Sequence, residues 1–476
     1  MSSMTKKPAI ASLNIILMKS IYFFLFLPFL LFPQTKTTEL PQLSISENHR
    51  FLVSADNEPF FWLGDTAWLL FSKLSREEAN LYLDDRLAKG YNVIQVMVLH
   101  SLDVKNYYGD AALVDSNISL PLTVAGSEFE NEAEYDFWDH VDYIIDLAEQ
   151  KGLYMALVPV WGTNFNNGAI SLEDAKFYAK WVSDRYKEKS NIIWLNGGDT
   201  KGNENLEKWN AMGTIYKENN PDKLVTFHPF GRMKSSTWFH NEDWLDFNMF
   251  QSGHRRYDQE DPEFGYGQDN YKYVNDDFKL KPLKPTIDGE PAYESIPQGL
   301  HDPSEPFWTA DDVRRYAYWS VFAGGFGFTY GHNAVMQMHK PGDKSPAYGA
   351  REFWTEALNA DGANQMQYLK KLMLSKPILD RVPDQQLLVG NEGRKYDYQI
   401  ATRGKDYAFI YTYNGKDIKV RMGVIVGEKI NASWYNPRNG EYNFIGTFTY
   451  IGTKTFDPPG SSKDGNDWIL VLEQLK

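Results

Sequence analysis

The sequence predicts an α/β protein: a (β/α)8 barrel followed by a small all-β sandwich. Three observations carry this. From Pro59 to about Phe353, short apolar runs alternate with amphipathic helical patterns. Those runs end in polar, glycine or histidine residues, as strands do when their C-terminal ends face a site. Beyond about Pro383 the texture changes to short alternating segments split by Asn-Gly, Gly-Lys and Pro-Pro-Gly breaks. The expected organisation is a leader over 1–40, the barrel over 41–380 and the sandwich over 381–476.

Taken in order, Phe60–Leu63 is the first strand, ending in Gly64-Asp65-Thr66-Ala67-Trp68. Ser75-Arg76-Glu77-Glu78 is a capping box, and Gly90 ends the helix it starts. Val93–Leu99 is the second strand, ending at His100. The polar stretch Ser101–Glu134 reads as a long loop whose length suits closure over a cleft. A helix with Phe137, Val141, Ile144 and Ile145 leads to strand three, Leu153–Val160, ending in Trp161-Gly162. Ser171 starts the next helix. Strand four, Ile192–Leu195, breaks into Asn196-Gly197-Gly198-Asp199. Leu224–Phe227, Leu245–Phe250 and Pro285–Ile287 follow, ending in His228, in Gln251-Ser252-Gly253-His254 and in Asp288-Gly289-Glu290. Thr309 caps a helix before strand eight, Gly325–Tyr330, which ends in Gly331-His332.

The totals exclude several classes. With 476 residues the chain exceeds one simple core, and a net charge of −14 argues against nucleic acid as partner. The absence of cysteine excludes disulfides, thiolate catalysis, Cys-ligated metals and the acylation site of a bacterial lipoprotein. A mean hydropathy of −0.49 argues against a multi-spanning membrane protein. At the amino terminus, Lys6, Lys7 and Lys19 precede the apolar run Ile21–Phe32. That order predicts an export signal, cut between about Phe32 and Leu40, which leaves no span in the mature chain; an uncleaved anchor is the alternative. Met18 is a more natural start than Met1. A periplasmic or extracellular location is expected.

Two carboxyl groups flanking a glycosidic bond are the minimal apparatus for glycoside hydrolysis. In a barrel they must come from different strand ends, and Asp199 and Glu290 do. A lone strand-end carboxylate is more often a cap or ion-pair partner, a reading that applies equally to Asp65, Asp288 and Glu294. Asp288, two residues before Glu290, competes for the same direction. Glycines 197, 198 and 289 leave room for substrate to approach the backbone. His100, His228, His254 and His332 each follow a predicted strand. They suit donation to sugar hydroxyls better than metal binding, since no HxH or HxxxH pair occurs. Trp68, Trp161 and Tyr293 offer stacking faces, and Asn196 is placed to hold a sugar hydroxyl beside Asp199.

Five motifs occur together in this order: Phe61-Trp62-Leu63-Gly64-Asp65-Thr66-Ala67-Trp68, Asn191–Asp199, Trp244–His254, Asp288-Gly289-Glu290-Pro291 and Tyr330-Gly331-His332. With them the chain resembles the apiosidase-like glycoside hydrolases, family GH140, from about Leu43 onward. The tail, with Trp434-Tyr435-Asn436-Pro437-Arg438 and Asp467–Leu472, is similar to a β-domain that carries a collagen-binding label. The resemblance implies a retaining glycosidase with Asp199 as acid/base and Glu290 as nucleophile. It also implies action on apiosyl linkages in side chains of the pectic polysaccharide rhamnogalacturonan II, a plant cell-wall partner, with no cofactor or metal. The residues expected to bind substrate are Asp65, Trp68, His100, Trp161, Asn196 and His228, with Gln251, His254, Asp288, Tyr293, Tyr330 and His332. Three alternatives stand beside it: a catalytically silent barrel that binds carbohydrate or matrix, a glycosidase of the same mechanism with a different sugar specificity, and a metal-dependent hydrolase.

Overall fold

A computed structural model describes residues 39–166, 168–259 and 265–475. Residues 1–38 of the predicted leader lie outside them. Among the described residues no helix is long and apolar enough to cross a membrane.

Eight strands form the barrel: β1 (Trp62–Thr66), β2 (Val93–Leu99), β3 (Tyr154–Val160), β4 (Ile192–Thr200), β5 (Val225–Pro229), β6 (Asn248–Gln251), β7 (Thr286–Asp288) and β8 (Gly327–Tyr330). Parallel pairing runs from β1 in order to β5, and from β6 through β7 and β8 back to β1. Between β5 and β6, the Asp246 amide bonds the Val225 carbonyl at 2.9 Å, and the Thr226 hydroxyl bonds the Phe247 carbonyl at 2.6 Å. These bonds close the ring.

The principal helices are α1 (Arg76–Ala88), α2 (Phe137–Gln150), α3 (Leu172–Arg185), α4 (Leu206–Asn219), α5 (Tyr271–Asp277), α6 (Ala310–Phe322) and α7 (Asp361–Leu374). The predicted capping boxes form at Ser75 with Glu78 and at Ser171 with Asp174. Each lets a side chain and a backbone amide satisfy one another where helical partners are missing. α5 is only seven residues long, which is why a helix after β6 leaves so faint a trace in the sequence.

Each strand divides its side chains by phase. On β4, Ile193 and Leu195 join the core inside the barrel, while Ile192 and Trp194 join the layer beneath the helices. Three short strands, Leu43–Ile45, Leu52–Ser54 and Pro59–Phe60, pair antiparallel at the barrel's N-terminal end. There the Leu40 amide bonds the Ser190 hydroxyl just ahead of β4. Pro59 and Phe60 belong to that sheet, so β1 starts two residues later than the apolar run predicts.

The loop 101–134 does not cover the cleft. Val104, Ala112, Leu113 and Ile118 are buried in the helix-side layer, and the Trp138 indole bonds the Ala112 carbonyl at 2.9 Å. These four residues anchor the loop beside α2.

The C-terminal β-domain has a six-stranded antiparallel sheet and a two-stranded one, Ile418–Arg421 with Thr453–Phe456. The larger sheet packs on α6. Tyr318 stacks on Tyr411 with ring centroids 4.9 Å apart, and the Arg314 guanidinium binds Asp467 through two contacts of 2.9 Å. A bidentate buried pair fixes orientation as well as distance, so the sheet is bound firmly against the barrel wall.

Candidate active site

A cleft of about 440 Å³ opens at the C-terminal ends of the strands, and both Asp199 and Glu290 line it. Asp199 gets there through a break in β4, past the regular stretch on which Ile193 and Leu195 face inward. The ladder with β5 is irregular between Gly197 and Thr200, and Asp199 itself has φ 47°. A non-glycine residue in the left-handed region is held there by its surroundings, and such residues gather at functional sites. The glycines before it, at φ 90° and 104°, make that turn possible. They do not leave room for substrate. A Cβ on Gly197 would lie 2.6 Å from the Phe227 ring, and one on Gly198 2.5 Å from the Trp161 ring. Likewise a Cβ on Gly289 would lie 2.5 Å from the Met249 sulfur.

Glu290 follows β7, past the point where strand alternation holds. Its Oε1 accepts from the Tyr293 hydroxyl at 2.6 Å, and that hydroxyl accepts from the Trp68 indole at 3.0 Å. The His228 Nε2 lies 3.1 Å from Oε2, close enough for an ion pair although short of hydrogen-bond alignment. The His254 Nε2 lies 3.5 Å from Oε1. His254 takes the Tyr293 amide proton on Nδ1 at 3.3 Å, which leaves its own proton on Nε2, facing Glu290.

The two carboxyls are driven apart electrostatically. Burial, and then the charge of Glu290, push Asp199 up to about 6. Burial alone would raise Glu290 too, but the two histidines outweigh it and hold that carboxyl down to about 2. One site therefore holds a proton-bearing acid and an ionised carboxylate together, the division of labour that acid-assisted displacement needs.

Trp68, Trp161, Gln251, His254 and Tyr293 also line the cleft, as their strand-end positions predict. His228 sits just behind, its ring 5.4 Å from that of Trp68 and 5.7 Å from that of Trp161.

Six expected residues lie elsewhere, each for a reason of phase or partner. Asp65 points out of the barrel and pairs with Arg86 at 2.6 Å, both side chains fully buried. Asn196 shares the outward phase of Trp194 and donates to the Trp209 carbonyl at 2.7 Å, so it is not beside a sugar. Asp288 also faces outward, accepting from Ser252 at 2.7 Å and from Asn270 at 2.9 Å, which removes it as competitor to Glu290. The Tyr330 hydroxyl is committed to Glu294 at 2.6 Å. His332 caps the short helix Asn333–Met336 through Nδ1. His100 lies beside Asp103 at the start of the loop, and Met97, three residues earlier on the inward side of β2, lines the cleft in its place. The histidines thus go to different tasks. Among the described residues no three His, Asp or Glu side chains converge as metal ligands.

Sequence reasoning missed part of the cleft wall: Phe230, Arg232 and Arg255, together with Leu300, His301 and Tyr348. Phe230 and Arg255 directly follow strand-end residues, whereas Arg232, Leu300, His301 and Tyr348 come from loops without a strand-end signature. Positive φ at Arg232, Leu300 and Tyr348 marks those loops as constrained, a property no local motif reveals.

Comparison with known proteins agrees with the barrel fold. A family model described as "Apiosidase-like, catalytic domain" matches residues 46–380, and one described as "Putative collagen-binding domain of a collagenase" matches residues 382–473. No curated protein matches. A solved structure titled "Glycoside hydrolase" is 46% identical with a TM-score of 0.86, covering 92% of this chain and 98% of that one. A glycoside hydrolase family 5 structure from Bacteroides vulgatus ATCC 8482 is 42% identical with a TM-score of 0.86, covering 92% and 95%. A further glycoside hydrolase from the same organism shares the fold at 14% identity and a TM-score of 0.63, covering 92% and 83%. With a family match across the whole barrel and this identity over nearly the whole chain, the protein belongs to the apiosidase-like family of glycoside hydrolases.

Proposed function

We propose that this glycoside hydrolase is an exported enzyme that cleaves apiosyl linkages in rhamnogalacturonan II side chains with retention of configuration. Asp199 is its acid/base and Glu290 its nucleophile. The observation that carries the reading is the pairing of a raised Asp199 and a depressed Glu290 in one cleft. The family resemblance supports the sugar, and the order of lysines and the apolar run Ile21–Phe32 in the sequence supports the location.

The chemistry follows from the charges. Protonated Asp199 gives its proton to the leaving oxygen as ionised Glu290 attacks the anomeric carbon. Once Glu290 is esterified its negative charge is gone, and one cause of the high Asp199 affinity for protons goes with it. Asp199 is then ready to take a proton from the water that hydrolyses the glycosyl-enzyme. The Trp68–Tyr293–Glu290 chain holds the nucleophile in a single orientation through both steps.

The test is incubation with rhamnogalacturonan II oligosaccharides beside a panel of aryl glycosides, with analysis of released sugars and of the first-formed anomer by NMR. Released apiose-terminated product of retained configuration is expected. Inverted product would remove Glu290 from the nucleophile role, and binding without release would return the silent-barrel alternative. Activity lost to a chelator and restored by a divalent ion would favour the metal-dependent one.

A further inference from the structure

Tyr348 lies on the wall of the same cleft as Asp199 and Glu290, on a loop beyond β8. Its backbone is left-handed, with φ 51°. Two side chains of the short helix after β8 hold it so. The Asn333 amide donates to the Tyr348 carbonyl at 3.0 Å and to the Ser295 carbonyl at 3.1 Å, joining two residues with positive φ. Gln337 brackets the preceding residue, accepting from the Ala347 amide at 2.6 Å and donating to its carbonyl at 3.0 Å. Asn333 is fully buried, so this tie is set by the core and not by solvent.

The ring this clamp presents is half-buried, with the His301 ring 5.7 Å from it on the cleft side. Its hydroxyl has no hydrogen-bond partner among the described residues, unlike that of Tyr293, which is committed to Glu290 and Trp68. Burial, and then the charges of Asp199 and Glu290, raise the affinity of this phenol for its proton, so it lies within electrostatic reach of both carboxyls. An aromatic ring fixed by its backbone, beside the bond-breaking pair and with an uncommitted hydroxyl, is built to receive a ligand with an apolar face and hydroxyl groups.

We infer that Tyr348 positions the sugar that spans the two carboxylates, with its ring as the stacking face and with Asn333 setting the ring's place. This rests on the reading of Asp199 and Glu290 as the reacting pair.

The experiment measures kcat and KM on a glycoside that the wild-type enzyme turns over, with Tm recorded for every variant. Tyr348→Ala is expected to raise KM about tenfold with a smaller change in kcat. Tyr348→Phe, which keeps the ring, should recover most of that loss. Asn333→Ala should move KM in the same direction as Tyr348→Ala. If Tyr348→Ala fails to fold, Tyr348→Leu fills similar volume without an aromatic face and must show the same rise. A Tyr348→Ala kcat/KM within twofold of wild type overturns the inference, as does a Phe variant no better than the Ala one. Asp199→Ala and Glu290→Ala run in parallel separate the two readings. If they lose activity while Tyr348→Ala keeps it, this inference alone falls. If they keep activity, the site assignment falls with it.

Discussion

Asp65 and Asp199 are both aspartates near the C-terminal ends of barrel strands, and the fold treats them in opposite ways. Asp65 takes the outward phase of β1 and meets Arg86 at 2.6 Å and the Tyr82 hydroxyl at 2.5 Å. Its charge is matched by Arg86, and its side chain lies fully buried outside the cleft. Asp199 is turned into the cleft by the break in β4, and the acidic group it faces carries the same sign as its own. A matched buried pair stabilises the fold mainly because breaking it strands a charge. An unmatched pair stores a proton in one partner and a negative charge in the other. Strand-end position therefore does not decide whether a carboxylate meets the cleft; the face it takes and the partner it finds do.

That contrast can be broken by mutation. The largest effect is expected for Glu290→Ala, with kcat reduced on the order of 10⁴-fold or more, and for Asp199→Ala, on the order of 10²- to 10⁴-fold. Both variants should melt cooperatively, and full activity in either would exclude that residue from the mechanism. Asp65→Ala should do the reverse, destabilising the fold by about 3–5 kcal/mol in urea titration while the molecules that fold keep their kcat. An unchanged unfolding midpoint would show that the Arg86 pair carries no stability.

The pH dependence sharpens the comparison. Since Asp199 must hold its proton, kcat/KM should fall as pH rises through about 6, and the limb should vanish in Asp199→Asn. Glu290→Gln removes one charge that raises Asp199, so the Asp199 titration, followed by NMR, should move to lower pH. Stability follows the same sign. The folded state holds the Asp199 proton more tightly than the unfolded chain, so this carboxyl subtracts stability as pH rises from the ordinary carboxylate range through about 6. Asp199→Asn should accordingly raise Tm by a few degrees at pH 7 and by less at pH 4. The smallest effect is Tyr293→Phe. Losing one hydrogen bond to a charged group should lower kcat/KM by about tenfold and shift the acid limb upward, since Glu290 is then less well held as an anion.

The alternation of apolar runs and capped helices made the barrel legible, because buried parallel strands and N-caps both leave local signatures. Asp199, Glu290, Trp68, Trp161, Gln251, His254 and Tyr293 were legible for the same reason: each stands where a strand ends, and the cleft gathers them. Asn196, Asp288 and Tyr330 stand in equally good places in the sequence yet face outward. A shift of one residue, or the irregularity between Gly197 and Thr200, reverses the face, and neither is written in composition.

The sequence by itself determined the kind of fold, the order of its strands and the stock of groups at their ends, since these depend on local periodicity and spacing. Only the tertiary structure decided which groups share a space. Whether Asp65 is neutralised by Arg86, whether two histidines converge on Glu290, and whether Tyr348 reaches the cleft depend on residues far apart in the chain. Charge interactions fall off over a few ångströms of space, not of sequence, so chemistry of this kind is fixed by packing.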